Sequence, residues 1–205
     1  MLGNLKDFMD ALKSIPQDSE HEILDFLRKH IIHGTPFIFK DNEDEFYEFR
    51  KKISNKWGIL FHEVFITGSA KLGYSFFKEK IFDENSDVDV AIVSSKLFDS
   101  IMKCVEDFQW KLRNKIISLS ERDLNKYHEF LEYVAIGWIR PDKLPYNLYK
   151  DDNRLQKEWF NYFNSISNGK SEVGNYKVTA GVYKSYYHFE KYTFSSIKQK
   201  CNRFK

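Results

Sequence analysis

Two aspartates, Asp87 and Asp89, stand two positions apart in the run Ser86-Asp87-Val88-Asp89-Val90, inside a stretch rich in Val and Ile. Such a stretch is expected to form a short strand, and side chains on a strand alternate between its faces. The two carboxylates then share one face, while Val88 and Val90 turn into the core. Paired carboxylates are hard oxygen ligands that suit one or two Mg²⁺ or Mn²⁺ ions. Upstream, Val64-Phe65-Ile66 leads into Thr67-Gly68-Ser69. A strand that runs through Gly-Ser into a helix leaves backbone N–H groups and a hydroxyl where a phosphate docks, and Gly68 lets the backbone come close. Cations held by the acidic pair would neutralise a triphosphate, lower the pKa of an attacking hydroxyl and stabilise a leaving pyrophosphate. The chemistry implied is phosphoryl-type transfer on a nucleotide.

An apolar strand, Gly-Ser, and then Asp-x-Asp inside a second apolar strand together make a more specific signal than either half. On these residues the sequence resembles the DNA polymerase β-like nucleotidyltransferase superfamily, which includes bacterial minimal nucleotidyltransferases and the synthases of signalling oligonucleotides. The resemblance covers residues 64–93. It implies an α/β (α+β) fold with a small mixed sheet flanked by helices, binding of an NTP with Mg²⁺ (or Mn²⁺), and transfer of a nucleoside monophosphate to RNA, protein or another nucleotide. By this resemblance Asp87 and Asp89 are the catalytic metal ligands, and Gly68 and Ser69 bind the β- and γ-phosphates. Lys71 adds a phosphate contact or is a solvated side chain. Stand-alone bacterial members often serve toxin–antitoxin or phage-defence modules, and the small size and Lys-, Asn- and Phe-rich composition are compatible with that role.

Two departures from the pattern stand out. Ser69 and Asp87 are 18 positions apart, longer than the compact helical connection common in the family, so residues 74–85 are expected to form an inserted loop or hairpin. More seriously, the superfamily usually supplies a third carboxylate from a neighbouring strand, and the strand expected at residues 176–183, Tyr-Lys-Val-Thr-Ala-Gly-Val-Tyr, contains no acid. Glu172, Glu129 and Glu132 are candidate substitutes, although a solvated surface charge is the commoner role for such residues. The missing acid supports an alternative: a catalytically degenerate member that senses a nucleotide or holds a partner protein.

The elements that must position these residues follow from hydrophobic periodicity. Leu5, Phe8, Met9 and Leu12 recur at helical spacing until Pro16. Ser19 to Glu22 fits a capping box ahead of the stripe Ile23, Leu24, Phe26, Leu27 and Ile31, which ends at Gly34. A third helix, capped near Asp41, runs through Phe46, Phe49 and Ile53 to Gly58. After the two motif strands, Leu97, Phe98, Ile101, Met102, Val105 and Phe108 mark a helix, and a further one is expected over residues 124–138. Pro141 and Pro145 mark an irregular loop, residues 153–166 read as helix, and the last twenty or so residues as another. No internal repeat or linker appears, so residues 1–205 are expected to form one domain: a helical part over 1–58, a motif-bearing core over 59–118, and a helical region with the third strand over 119–205.

Composition narrows the setting. The 205 residues carry 42% hydrophobic and 17% aromatic side chains, enough for a substantial core. With 32 Lys+Arg against 30 Asp+Glu, the net charge of +2 supplies no global field to draw nucleic acid. No apolar run reaches membrane-span length, so a soluble cytoplasmic protein with no membrane contact is expected. Cys104 and Cys201 lack metal spacing and read as buried or idle thiols. His62, His128 and His188 are isolated and read as structural, and Trp110, Trp138 and Trp159 as core or interface residues. Near the C-terminus, Tyr183, Tyr186, Tyr187, Phe189, Tyr192 and Phe194 interleave with Lys184, Lys191, Lys198, Lys200, Arg203 and Lys205. That pattern can stack bases and pair phosphates, although helical packing and a dipole-complementing basic end explain it more simply.

Overall fold

The computed structural model describes residues 4–16, 19–150 and 153–203; Lys205 lies outside them. The elements in chain order are α1 (Leu5–Ser14), α2 (Glu20–Leu27), α3 (Glu43–Trp57), β1 (Val64–Thr67), α4 (Gly68–Leu72), β2 (Tyr74–Ser75), β3 (Lys80–Ile81), β4 (Asp87–Val93), α5 (Ser95–Arg113), α6 (Glu121–Ala135), β5 (Trp138–Ile139), β6 (Tyr149–Lys150), β7 (Asn153–Arg154), α7 (Leu155–Ser165), β8 (Lys177–Tyr183) and α8 (Tyr186–Asn202). The fold is α+β, with a mixed four-stranded sheet flanked by helices.

Local chemistry sets the helix ends. Asn4 Oδ1 accepts from the Asp7 N–H at 2.9 Å, the Ser19 hydroxyl from Glu22, and Asn42 from Glu45, each satisfying an otherwise orphaned first-turn donor. Helix α3 stops where Gly58 takes a left-handed conformation at φ 60°. Past α2 the chain widens into a π-helical turn, Arg28–Ile32, before turning at Gly34. Two sequence expectations are corrected. The helix expected over 124–138 ends at Ala135, because Gly137 at φ 77° turns the chain and Trp138 begins β5. The helix expected over 153–166 yields its first two residues to the β6–β7 ribbon. The third strand expected at 176–183 forms as β8, and a short strand the periodicity does not mark, β5, joins it in the sheet.

The sheet order is β1-β4-β8-β5. Strand β4 lies antiparallel to β1 and parallel to β8, and β5 closes the far edge antiparallel to β8. One face is dry: Val88, Val90, Ile92, Val178 and Val182 pack beneath Phe49 and Ile53 of α3, Phe98 and Val105 of α5, Phe130 of α6, and Trp159 and Phe163 of α7. Burial of that many large apolar groups, each worth about 1.5–3 kcal/mol, holds the sheet flat against four helices. The opposite face divides. Helix α8 covers Ala91, Val93 and Tyr183 with Phe189, whereas Asp87 and Asp89, further back along the same strand, remain open. A separate cluster joins α1, α2, the β2–β3 hairpin and the end of α8 through Phe8, Phe26, Tyr74, Phe76 and Ile197. The segment between Ser69 and Asp87 is thus a hairpin docked on the N-terminal helices.

Candidate functional site

Strand alternation puts Asp87 and Asp89 on the open face, with Val88 and Val90 buried behind them. The antiparallel register with β1 sets Thr67 opposite Asp89, so the next residue, Gly68, arrives beside that carboxyl. Gly68 has φ 64°, and a Cβ added there would lie 2.9 Å from Asp89 Oδ2. Both the left-handed backbone and this close approach require glycine. Ser69 follows in the first turn of α4, half-buried.

The parallel register with β8 sets Lys177 beside Asp87 and Thr179 beside Asp89. Thr179 donates from Oγ1 to Asp89 Oδ1 at 2.7 Å, and Lys177 Nζ stands 3.7 Å from Asp87 Oδ2. Partial burial raises the Asp89 pKa and the charge of Asp87 adds to the rise, against the Thr179 hydrogen bond and the positive charges of Lys78 and Lys177. Asp89 keeps solvent contact through the mouth of the cleft, which limits that effect.

A cleft of about 550 Å³ opens over this part of the sheet, lined by Thr67, Asp89, Lys177, Thr179, Gly181, Trp138, Arg140 and Tyr192. The Trp138 ring stacks parallel to Tyr183 at 5.5 Å, and the bare Cα of Gly181 makes room for its indole nitrogen. A cavity of about 270 Å³ adjoins the cleft at Thr67, Tyr183 and Tyr192 and reaches Gly68, walled by Phe65, Phe76, Phe77 and Phe189. The cleft that bears Asp89 thus lies against an aromatic cavity of nucleobase scale.

Lys71 is used elsewhere. It is 2% exposed, and its ammonium donates to the carbonyls of His33, at 2.8 Å, and Gly34, tying α4 to the turn that follows α2. Burial lowers its pKa to about 8. The expected phosphate contact and the solvated alternative both give way to a buried clamp, a role that depends on a chain reversal 37 residues upstream. Of the substitute acids, Glu172 pairs with Lys52 and Glu129 with Lys143, while Glu132 is exposed on α6. Among the described residues, no three or more His, Cys, Asp or Glu side chains form a metal-holding group.

The donors present still fit a single divalent cation. Mg²⁺ is commonly held by one or two carboxylates, with substrate phosphates and water completing its octahedron. Asp87 and Asp89 are two such ligands on one face, and Gly68 leaves the space beside Asp89 that a side chain would fill.

Other expectations resolve structurally. Trp159 is buried and Trp138 half-buried, but Trp110 is 54% exposed on α5. His188 Nδ1 pairs with the Ser185 hydroxyl at 2.8 Å. In α8, Lys198 and Lys200 bind Glu20 and Glu79, and Lys191 donates to the Tyr187 hydroxyl. Much of the basic and aromatic pattern therefore fastens the helix to the rest of the molecule. No described helix is long and apolar enough to cross a membrane. Comparison with known proteins finds no matching family model, curated protein or solved structure, so the reading of this site rests on its own geometry.

Proposed function

We propose that this chain binds a nucleoside triphosphate with one divalent cation at Asp87 and Asp89, in the manner of DNA polymerase β-like nucleotidyltransferases, and holds the nucleotide without transferring it. Such a protein acts as a nucleotide sensor or as a nucleotide-dependent docking partner for another protein. The observation that supports this reading is the content of β8: beside the two acids stand Thr179 and Lys177, a hydroxyl and a cation, in place of a further carboxylate. Mg²⁺ or Mn²⁺ bound at the pair would neutralise triphosphate charge. The chain's own residues do the rest. Gly68 admits a phosphate close to the backbone, Thr179 fixes the rotamer of Asp89, and the aromatic walls of the adjoining cavity receive the base. Cytoplasm, where NTP and Mg²⁺ are plentiful, is the proposed setting, and a toxin–antitoxin or phage-defence module the proposed context.

Calorimetric titration of each NTP with excess Mg²⁺ tests the binding claim. Asp87→Asn/Asp89→Asn should weaken binding by at least about a hundredfold, the scale of two lost charge-assisted contacts, with unchanged circular dichroism. Equal affinity in parent and variant would refute the site.

One observation favours a second reading, a working nucleotidyltransferase acting on RNA, protein or another nucleotide. Asp87 and Asp89 share one face and Gly68 lies beside Asp89, an arrangement that would suit a triphosphate held for attack. The two readings separate on transfer, not on binding.

A further inference from the structure

Lys177 has no counterpart in a site designed only to attract cations. It enters from β8 in register with Asp87, and its ammonium reaches that carboxylate at 3.7 Å, with both side chains about half exposed. One positive charge thus stands against the two carboxylates before any ion arrives. Two bare carboxylates repel a polyphosphate; Lys177 offsets part of that charge before any metal binds.

We propose that Lys177 is a built-in cation of the site, moving between Asp87 and a phosphate oxygen, so that a nucleoside polyphosphate is held even when no divalent cation accompanies it. The inference rests on the nucleotide-binding reading above and deepens it. An exposed ion pair at this separation is weak, so the ammonium leaves Asp87 at little cost. A compact ammonium with three donors suits a phosphate oxygen, and its long stem gives it the reach to swing. When Mg²⁺ comes with the nucleotide, Asp87 turns to the metal, which carries most of the phosphate charge, and the contribution of Lys177 shrinks. When Mg²⁺ is absent, Lys177 supplies the charge the metal would have brought. Metal-supported and lysine-supported binding are then two occupancies of one site.

The test is calorimetric titration of the full chain with ATP, once in excess Mg²⁺ and once in excess EDTA, for the parent, Lys177→Ala and Lys177→Arg. The parent should still bind in EDTA, measurably but more weakly than in Mg²⁺. Lys177→Ala should lose about tenfold or more in EDTA, the scale of one charge-assisted contact, and less than that in Mg²⁺, and Lys177→Arg should recover most of the EDTA loss. Thermal melting of each variant without ligand separates loss of binding from loss of fold. Parent binding that is present in Mg²⁺ and abolished in EDTA would overturn this inference alone, as would a Lys177→Ala variant that matches the parent in EDTA. A parent that binds ATP in neither condition would overturn the nucleotide-binding reading and this inference with it.

Discussion

Strands β4 and β8 lie side by side in parallel register and turn the same face to the cleft, yet β4 offers Asp87 and Asp89 where β8 offers Lys177 and Thr179. Their buried faces, by contrast, match: Val88 and Val90 stand beside Val178 and Ala180. The packing side is shared and the chemical side is not, so the contrast is confined to the cleft face. On the proposed reading, holding a nucleotide needs a bound cation and a close backbone, for which β4 offers carboxylate ligands and Gly68 the close approach. Activating an attacking hydroxyl asks for more charge on the neighbouring strand, and there β8 gives a hydroxyl and a positive charge.

The sharpest way to break the β4 side is Gly68→Ala. A non-glycine residue in the left-handed region costs roughly 1–2 kcal/mol, and the new Cβ would press on Asp89 Oδ2 at 2.9 Å. Chemical denaturation should register that loss, and NTP affinity should fall at least about tenfold beyond it. Unchanged affinity would show that Gly68 does not face the ligand. The β8 side is probed by Thr179→Asp, which sets a carboxylate against Asp89 in place of its hydrogen-bond donor. Without cation the melting temperature should drop by about 5 °C from like-charge repulsion, and millimolar Mg²⁺ or Mn²⁺ should restore it. A drop that no cation relieves would mean that the acids do not form a cation site.

Asp89→Asn addresses the cost of keeping the site. Burial and Asp87 raise the Asp89 pKa, so the folded chain holds this proton more tightly than the unfolded chain, and the stability this provides is lost as pH rises through the folded pKa. At neutral pH the variant should therefore melt slightly higher than the parent while binding NTP less well; a lower melting point would contradict the assigned sign. The smallest effect is at Lys71. Its pKa is lowered to about 8 from an ordinary 10.5, so between these values the unfolded chain carries a proton that the folded chain has released, and stability rises with pH. Above pH 10 the buried Tyr74 and half-buried Tyr162, both raised to about 12, begin to reverse the trend. Urea denaturation from pH 8 to 10 should show an upward component of at most about 1 kcal/mol per pH unit that Lys71→Met lacks.

How much of this was legible in the sequence depends on the distance over which each feature is decided. Caps at Ser19 and Asn42, the stop at Gly58 and the shared face of Asp87 and Asp89 are local, set by a few consecutive residues, and the sequence alone indicates them. Gly68 was legible as a close-approach position, although not that the group approaching is Asp89 itself. The partners of the acidic pair were not legible: Thr179 lies 90 residues from Asp89 and meets it only through a parallel pairing whose register no local pattern specifies. The absence of an acid in residues 176–183 could be read, but the proximity of Lys177 to Asp87 could not. Lys71 deceived for the same reason, since its carbonyl partners come from a turn far upstream. Trp138 read as helix because the apolar period of α6 continues past Ala135, and only the left-handed Gly137 breaks it.

The central claim is that β4 holds a nucleotide which β8 does not equip the chain to transfer. Its most direct test is pyrophosphate release from α-phosphate-labelled NTPs at saturating concentration, with Mg²⁺ or Mn²⁺ and with RNA, protein and free nucleotides offered as acceptors. The account predicts NTP that stays bound and intact, with no label on any acceptor and no pyrophosphate above that of Asp89→Ala. Pyrophosphate release that disappears in Asp89→Ala would contradict it and establish the chain as an enzyme.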